Sequence, residues 1–145
     1  TALAVASEAA QAGNDELLQY ILEHPAIFPL DGAGKDEKGN SLLHYAAADN
    51  RNSSYVINLI LSKFGSAAID YVNQANEEGK SALHVAVTNG SVDAVRGLVK
   101  GGANIHLQAQ DGKTPLDLAN DLIKEESTNK WRAIRKILQL ATTLS

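Results

Sequence analysis

One eight-residue segment occurs three times in this chain with small changes, and its spacing constrains the fold more than any other feature. The copies are GNSLLHYA at residues 39–46, GKSALHVA at 79–86 and GKTPLDLA at 112–119. From Gly79 to Gly112 the distance is 33 residues (112 − 79), whereas from Gly39 to Gly79 it is 40 (79 − 39), one period with seven inserted residues. A fixed period of this length predicts one supersecondary unit per repeat, with neighbouring units stacked over a shared core.

The clearest repeat, residues 76–110, indicates what each unit contains. Gly79 suits a turn that needs a positive φ, and Ser81 can cap a first helix whose Leu83 and Ala86 face inward. The second helix has apolar residues three and four positions apart, at Val92, Val95, Leu98 and Val99. Each unit is therefore predicted to be a turn followed by two short helices.

A 33-residue period with a turn, two helices and a Thr-Pro-Leu-His-x-Ala-like opening resembles the ankyrin repeat. The resemblance implies an all-α solenoid of stacked helix-turn-helix units with β-hairpin-like turns between them. It covers the chain as one domain of four units, the outer two acting as caps: residues 1–34, 35–74, 75–107 and 108–145. The chain departs from the family pattern where Leu42 and Ala82 replace Pro and Asp117 replaces His.

The first unit and the insertions are predicted from local composition. Unit one lacks the turn and resembles a capping helix pair, with Gly13 ending its first helix and Asn14 or Asp15 capping its second. Residues 24–34 contain two prolines and two glycines, which disfavour regular structure. The extra residues of unit two, within 49–54 and 64–71, are predicted to be loops because stacked repeats tolerate added length there.

The last helix is predicted to carry the polar outer face that a terminal repeat needs. Trp131, Ile134 and Leu138 lie on its apolar side, and residues 124–129 before it are predicted to be a polar linker. The basic residues of its outer face are Lys130, Arg132, Arg135 and Lys136. A solvated cap is the favoured interpretation of this basic patch beside a tryptophan; a docking site for an acidic partner or a nucleic-acid backbone is the alternative.

Composition excludes several classes of site. The chain has no cysteine, which removes disulfides, thiolate nucleophiles and cysteine-bearing zinc sites and favours an intracellular setting, cytoplasm or nucleus. The net charge of −4 provides no general attraction to nucleic acid or an anionic membrane. No apolar run approaches the roughly 18 residues of a membrane span, so no membrane-spanning helix is expected.

Two motifs that resemble phosphate-binding loops are better explained by the repeat. Gly-Lys-Ser at 79–81 and Gly-Lys-Thr at 112–114 match the end of a P-loop. The P-loop needs a second glycine five residues earlier, where this chain has Gln74 and Leu107. The tripeptides are therefore predicted to be a turn followed by a helix cap.

The ionisable residues give no catalytic pattern. His44 and His84 each follow a serine, Ser41 or Ser81, by three residues, and the resemblance implies buried structural histidines bonded to those hydroxyls. Adjacent carboxylates such as Glu77 and Glu78 share one solvated surface, whereas acid–base catalysis needs two different environments. We expect no enzyme activity, no cofactor and no metal site.

The resemblance also implies where a partner would bind: the turn tips, the residue after each Leu-His pair and the polar end of each first helix. The matching positions are Glu37, Lys38, Asn40, Tyr45, Ala48 and Asp49 in unit two, Glu77, Glu78, Lys80, Val85, Thr88 and Asn89 in unit three, and Gln110, Asp111, Lys113, Leu118 and Asp121 in unit four. Mixed charge around Tyr45, whose ring is expected to be exposed, suits a protein or peptide, preferably with a basic segment.

The sequence thus predicts a non-catalytic protein-interaction module, an adaptor or scaffold that is monomeric on its own. A regulatory or recruitment segment of a larger enzyme, channel or effector is the alternative. Binding of nucleic acid is disfavoured, because it would require the carboxy-terminal basic patch to act alone.

Overall fold

The computed structural model describes residues 2–12, 14–24, 35–48, 53–125 and 129–144. Regular structure within these ranges is helical, as the repeat predicts, and contains no strand. The helices are α1 (Ala2–Ala12), α2 (Asp15–Glu23), α3 (Leu42–Ala48), α4 (Ser53–Ser62), a 3₁₀ turn (Gly65–Ala67), α5 (Ala68–Val72), α6 (Ala82–Thr88), α7 (Val92–Lys100), α8 (Pro115–Glu125) and α9 (Asn129–Leu144).

The helices form two layers of stacked pairs. The pairs are α1 with α2, α3 with α4, α6 with α7 and α8 with α9. In one layer α1 packs on α3, α3 on α6 and α6 on α8; in the other α2 packs on α4, α4 on α7 and α7 on α9. Small residues such as Ala46 and Ala86, both fully buried, let the first helices approach closely. A single core therefore continues from Ala6 to Leu138.

Side-chain hydrogen bonds cap the first turns of α2 and α8. The Asn14 side chain accepts a hydrogen bond of 3.2 Å from the backbone N–H of Leu17, so Asn14 is the cap of α2. In α8 the Thr114 N–H donates to the Asp117 carboxylate at 3.1 Å, and the Asp117 N–H donates to the Thr114 hydroxyl at 3.2 Å. Asp117 thus replaces the family histidine with a reciprocal cap that holds the start of the helix.

The turns between units form a hydrogen-bonded row. Gly79 has φ +74°, and its turn is closed by the Asn76 N–H donating to the Lys80 carbonyl at 2.9 Å. Bonds between turns run from the Glu77 N–H to the Lys38 carbonyl (3.0 Å) and from the Gln110 N–H to the Glu78 carbonyl (3.1 Å). Each turn is therefore fixed by its own unit and by its neighbour.

Three segments differ from the prediction. Ser53 and Ser54, expected to end the loop 49–54, already belong to α4, which begins at Ser53. Residues 64–71, expected to be a loop, contain the 3₁₀ turn and most of α5. Tyr71 and Val72 are buried, and the Tyr71 ring stacks on Phe64 with a centroid distance of 3.9 Å, so burial of apolar surface orders this insertion. The predicted linker 124–129 is also too long, because α8 extends to Glu125 and α9 begins at Asn129. Residues 25–34 and 49–52 lie outside the described residues.

Candidate functional site

A groove of about 320 Å³ lies where α3 and α6 meet the turns of units two and three. Its lining comprises Asn40, His44, Tyr45, Ala48, Asn76, Glu78, Lys80, Val85, Thr88 and Asn89. Most of the contact residues predicted for these two units are among them, although they are far apart in the sequence. Asn76, which the prediction missed, occupies the position that Asp36 has in the preceding turn.

Hydrogen bonds make the turn wall of the groove rigid. The Asn76 side-chain amide donates to the Asn40 oxygen at 3.0 Å and accepts from the N–H groups of Glu78 and Lys80, both at 3.0 Å. The Lys80 ammonium forms an ion pair with Glu78 at 3.1 Å. These bonds join the turns of units two and three along one side of the groove.

Two buried histidines lie beneath the groove and the next turn. The Nδ1 atom of His44 accepts from the Ser41 N–H at 3.1 Å and lies 2.9 Å from its hydroxyl, so the ring proton is on Nε2 and is donated to the Lys80 carbonyl at 2.9 Å. His84 repeats this arrangement with the Ser81 N–H at 3.2 Å and the Lys113 carbonyl at 3.0 Å.

Burial lowers the pKa of His44 and of His84 below the ordinary value of 6.5, and bonds to the neighbouring carbonyls only partly oppose this effect. Both imidazoles are therefore neutral at pH 7, and both ring nitrogens are occupied. They connect a helix to the following turn, as the resemblance implied. Within the described ranges, no three His, Asp or Glu residues are placed to hold a metal ion.

The Tyr45 side chain differs from its prediction. Its ring is half-buried, because the hydroxyl donates a hydrogen bond to the carboxylate of Asp36 within the same unit. Burial raises the pKa of Asp36, but the bonds from Tyr45 and from the N–H groups of Asn40 and Lys38 outweigh burial, so the pKa lies below its usual value. Tyr45 therefore presents part of its ring to the groove, with its hydroxyl already bonded.

The other predicted contact residues lie around the groove or away from it. Exposed positions on the turns are Glu37, Lys38, Glu77, Gln110 and Asp111. In unit four, Lys113 forms an ion pair with Asp121, and Leu118 is half-buried against the core. Asp49 lies outside the described residues.

The carboxy-terminal patch lacks an available aromatic surface. Trp131 is buried, and its indole N–H donates to the Val87 carbonyl at 2.8 Å, so the tryptophan connects α9 to α6. Lys130, Arg132 and Lys136 are exposed, and Arg135 is half-buried. This arrangement favours the solvated outer face over base stacking. No helix in the described part of the chain has the length and apolarity needed to cross a bilayer.

Comparison with known proteins identifies a sequence family. The family profile described as "Ankyrin repeats (3 copies)" matches residues 43–124. The "Inhibitor of Bruton tyrosine kinase" of Xenopus laevis is 33% identical over 84 residues, and the "Nuclear factor NF-kappa-B p105 subunit" of Gallus gallus is 35% identical over 85 residues. Both alignments cover 58% of this chain.

A solved ankyrin repeat domain from Acinetobacter baumannii is similar in structure, with a TM-score of 0.71 and 25% sequence identity. The match covers 94% of this chain and 63% of that chain. The two curated relatives are far longer, because the matched part amounts to 6% and 8% of their lengths.

Proposed function

The chain belongs to the ankyrin-repeat family, and on that premise we propose that it binds another protein through the groove between α3, α6 and their turns. Ankyrin repeats are generally protein–protein interaction modules. The exposed tips at Glu37, Lys38 and Glu77 extend the proposed surface along the row of turns. The chain acts in this proposal as a non-catalytic adaptor or scaffold.

The observation that carries the proposal is the convergence of two units on one groove. Tyr45 comes from unit two, whereas Lys80, Val85 and Thr88 come from unit three. Thr88 and Asn89 are exposed and add nothing to the core. Because the buried atoms of Ser41, His44 and their equivalents already hold the stack, the groove residues remain available to a partner.

The charges favour a partner with a basic segment. Lys80 is neutralised by Glu78, and Lys113 by Asp121. Glu37, Lys38 and Glu77 are exposed on adjacent tips, so Lys38 offsets one of the two carboxylates and the three together keep a negative charge. A basic peptide crossing the turns would meet these carboxylates, and its charge would accelerate association at low ionic strength. Nucleic acid fits this surface poorly for the same reason.

The proposal also covers the cellular location and the domain organisation of the chain. We propose one intracellular domain of four units, monomeric on its own, and the absence of cysteine supports the intracellular assignment. The match covers only 6% and 8% of the two curated relatives. These shares favour the alternative that the same groove serves recruitment or regulation as one segment of a larger protein.

A pair of threonine variants tests the groove. Thr88 and Thr143 are both exposed, and each hydroxyl donates to a backbone carbonyl of its own helix, at 3.0 Å to His84 and 2.8 Å to Leu140. Thr88→Arg fills the groove, whereas Thr143→Arg places the same side chain on α9. The partner is first captured with the wild-type chain, and its affinity for each variant is then measured by calorimetry.

We expect Thr88→Arg to weaken binding at least about 10-fold, or roughly 1.4 kcal/mol, and Thr143→Arg to bind as the wild type does. The unfolding temperature should be nearly unchanged in both, because both sites are exposed. Wild-type affinity in Thr88→Arg, or an equal loss in both variants, would reject the groove as the binding surface.

A further inference from the structure

Positive charge is concentrated on two neighbouring helices of the second layer, α7 and α9, which pack on each other. Together they contain six basic residues and one acidic residue, a net charge of +5 (6 − 1), although the whole chain has a net charge of −4. The rest of the chain is therefore strongly acidic. We call the six basic residues the α7–α9 basic surface; they are Arg96, Lys100, Lys130, Arg132, Arg135 and Lys136.

A cavity of about 440 Å³ brings cations of the two helices together. Arg96 of α7 and Lys130 of α9 both line it, with residues 89–93 at the start of α7. The Lys130 ammonium lies 4.4 Å from the centre of the Trp131 ring, and two of its side-chain carbons would lie 2.9 Å from a Cβ added at Gly90. The Lys130 side chain therefore packs on the loop that precedes α7 and adds its charge to that of Arg96.

The charges at this cavity are not neutralised within the described part of the chain. Two lysines on the turns form ion pairs with nearby carboxylates. Among the described residues, by contrast, no carboxylate forms an ion pair with Arg96 or Lys130. Asp93 also lines the cavity, but its carboxylate accepts a hydrogen bond of 2.8 Å from the backbone N–H of Ser54. The two exposed cations therefore remain available to an external anion.

We propose that the α7–α9 basic surface binds an acidic segment of a partner protein, with carboxylates of that segment at the cavity. Complementary charge accelerates association and fixes the orientation of the bound segment. Leu140, which is 53% exposed and lies four residues after Lys136 on α9, offers a contact for an apolar side chain of the segment. The sequence favoured a solvated cap because it considered α9 alone, without Arg96 and Lys100. This surface takes a ligand of opposite charge to that of the groove and does not depend on the groove.

A nucleic acid suits this surface less well than an acidic peptide does. Trp131, the aromatic residue of α9, is buried, and its indole N–H is bonded to the Val87 carbonyl, so the ring is not available for base stacking. A long polyanion would also extend beyond α7 and α9, where the acidic remainder of the chain would repel it. A short acidic segment avoids this repulsion.

Charge reversal at single positions tests the proposal. Arg96→Glu and Lys130→Glu each reverse a cation that lines the cavity. The control Lys63→Glu makes the same change of charge at an exposed residue that follows α4 and does not line the cavity. The probe is a short fluorescent peptide that repeats Glu-Glu-Leu-Glu, and its uncharged counterpart repeats Gln-Gln-Leu-Gln. A single-stranded oligonucleotide of equal charge and phosphatidylserine vesicles are compared with the peptide, by fluorescence anisotropy and by co-sedimentation.

We expect the wild type to bind the acidic peptide and not its glutamine counterpart. Arg96→Glu and Lys130→Glu should each weaken binding at least about 5-fold, whereas Lys63→Glu should change it less than about 2-fold. The unfolding temperature should be nearly unchanged, because all three side chains are exposed. If Lys130→Glu does lower it, the result with Arg96→Glu decides.

No binding by the wild type, or an equal loss in all three variants, would overturn the proposal. Tighter binding of the oligonucleotide or of the vesicles than of the acidic peptide would overturn it in favour of a nucleic acid or an anionic membrane.

Discussion

The imidazole rings of His44 and His84 connect their helices, α3 and α6, to the turn of the next unit. Each ring accepts a hydrogen bond from the backbone N–H of a serine three residues earlier. It donates a second hydrogen bond to a carbonyl of the following turn, that of Lys80 or Lys113. This geometry requires the neutral ring, because a proton on Nδ1 would face the serine N–H donor. The stability of the stack therefore depends on the protonation state of two residues.

The fold should lose stability as the pH falls below the unfolded-state value of 6.5, because burial lowers the pKa of both histidines in the folded state. Their contribution is complete above that pH and is lost below it, since the unfolded chain then binds protons that the folded chain resists. The loss is at most about 1.4 kcal/mol per histidine per pH unit. Urea unfolding between about pH 7.5 and pH 5, above most carboxylate titration, measures it.

The control for this pH dependence is His84→Gln. Glutamine can donate to the Lys113 carbonyl but does not replace every contact of the ring, so the variant should be less stable at neutral pH. Because glutamine does not titrate, the variant's stability should fall less than that of the wild type between about pH 7.5 and pH 5. An equal loss of stability with falling pH in wild type and variant would show that His84 does not contribute to the pH dependence.

The family resemblance was sufficient to assign these histidines but not the environment of every residue. It implied a bond to the serine three residues earlier, and the structure contains that contact at Ser41 and at Ser81. Tyr45 was expected to be exposed, because no local pattern indicates that its hydroxyl bonds to Asp36 across the turn. Ser7 takes the histidine register in unit one, and its buried hydroxyl has no hydrogen-bond partner among the described residues.

At the scale of elements, the turns are stacking elements as well as connections. The Gln110 N–H donates to the Glu78 carbonyl, and the Glu77 N–H to the Lys38 carbonyl. Gly79 lies under the following turn, because a Cβ added there would be 2.9 Å from the backbone nitrogen of Gln110. Gly112 has a similar φ, but a Cβ there would meet no atom within 4 Å among the described residues.

Alanine substitution at these two glycines separates backbone strain from turn stacking. Gly112→Ala should cost about 1–2 kcal/mol, because alanine at φ +79° is strained. Gly79→Ala should cost roughly 1 kcal/mol more, since its methyl group must also displace the neighbouring turn. Denaturant unfolding of both variants measures the difference. Equal costs would mean that the contact between turns contributes nothing.

Helix positions were largely predictable, whereas insertions were not. The spacing of Leu83, Ala86 and Leu98 predicts α6 and α7, because apolar periodicity is a local signal. The segment containing α5 was predicted as a loop, because its order depends on Tyr71 reaching the core and stacking on Phe64. Such contacts arise from the tertiary arrangement and leave no period in the sequence.

At the scale of the whole molecule, stacking separates the residues that hold the chain together from those that can meet a partner. The core runs from Ala6 to Leu138, and the groove lies beside it without interrupting it. The family pattern predicted which side of the stack holds the groove. It did not reveal that Leu17 is exposed, because Leu17 lies beside the buried Leu18 and Ile21 in the same helical period.

The most direct test of the central claim, that the groove is the binding surface, is amide hydrogen exchange of the chain with and without its captured protein partner. The account predicts slower exchange on binding in residues 36–48 and 76–89, which contribute the groove, and no change in α7 and α9. Protection confined to α9, or to the outer helices α4 and α7, would contradict it.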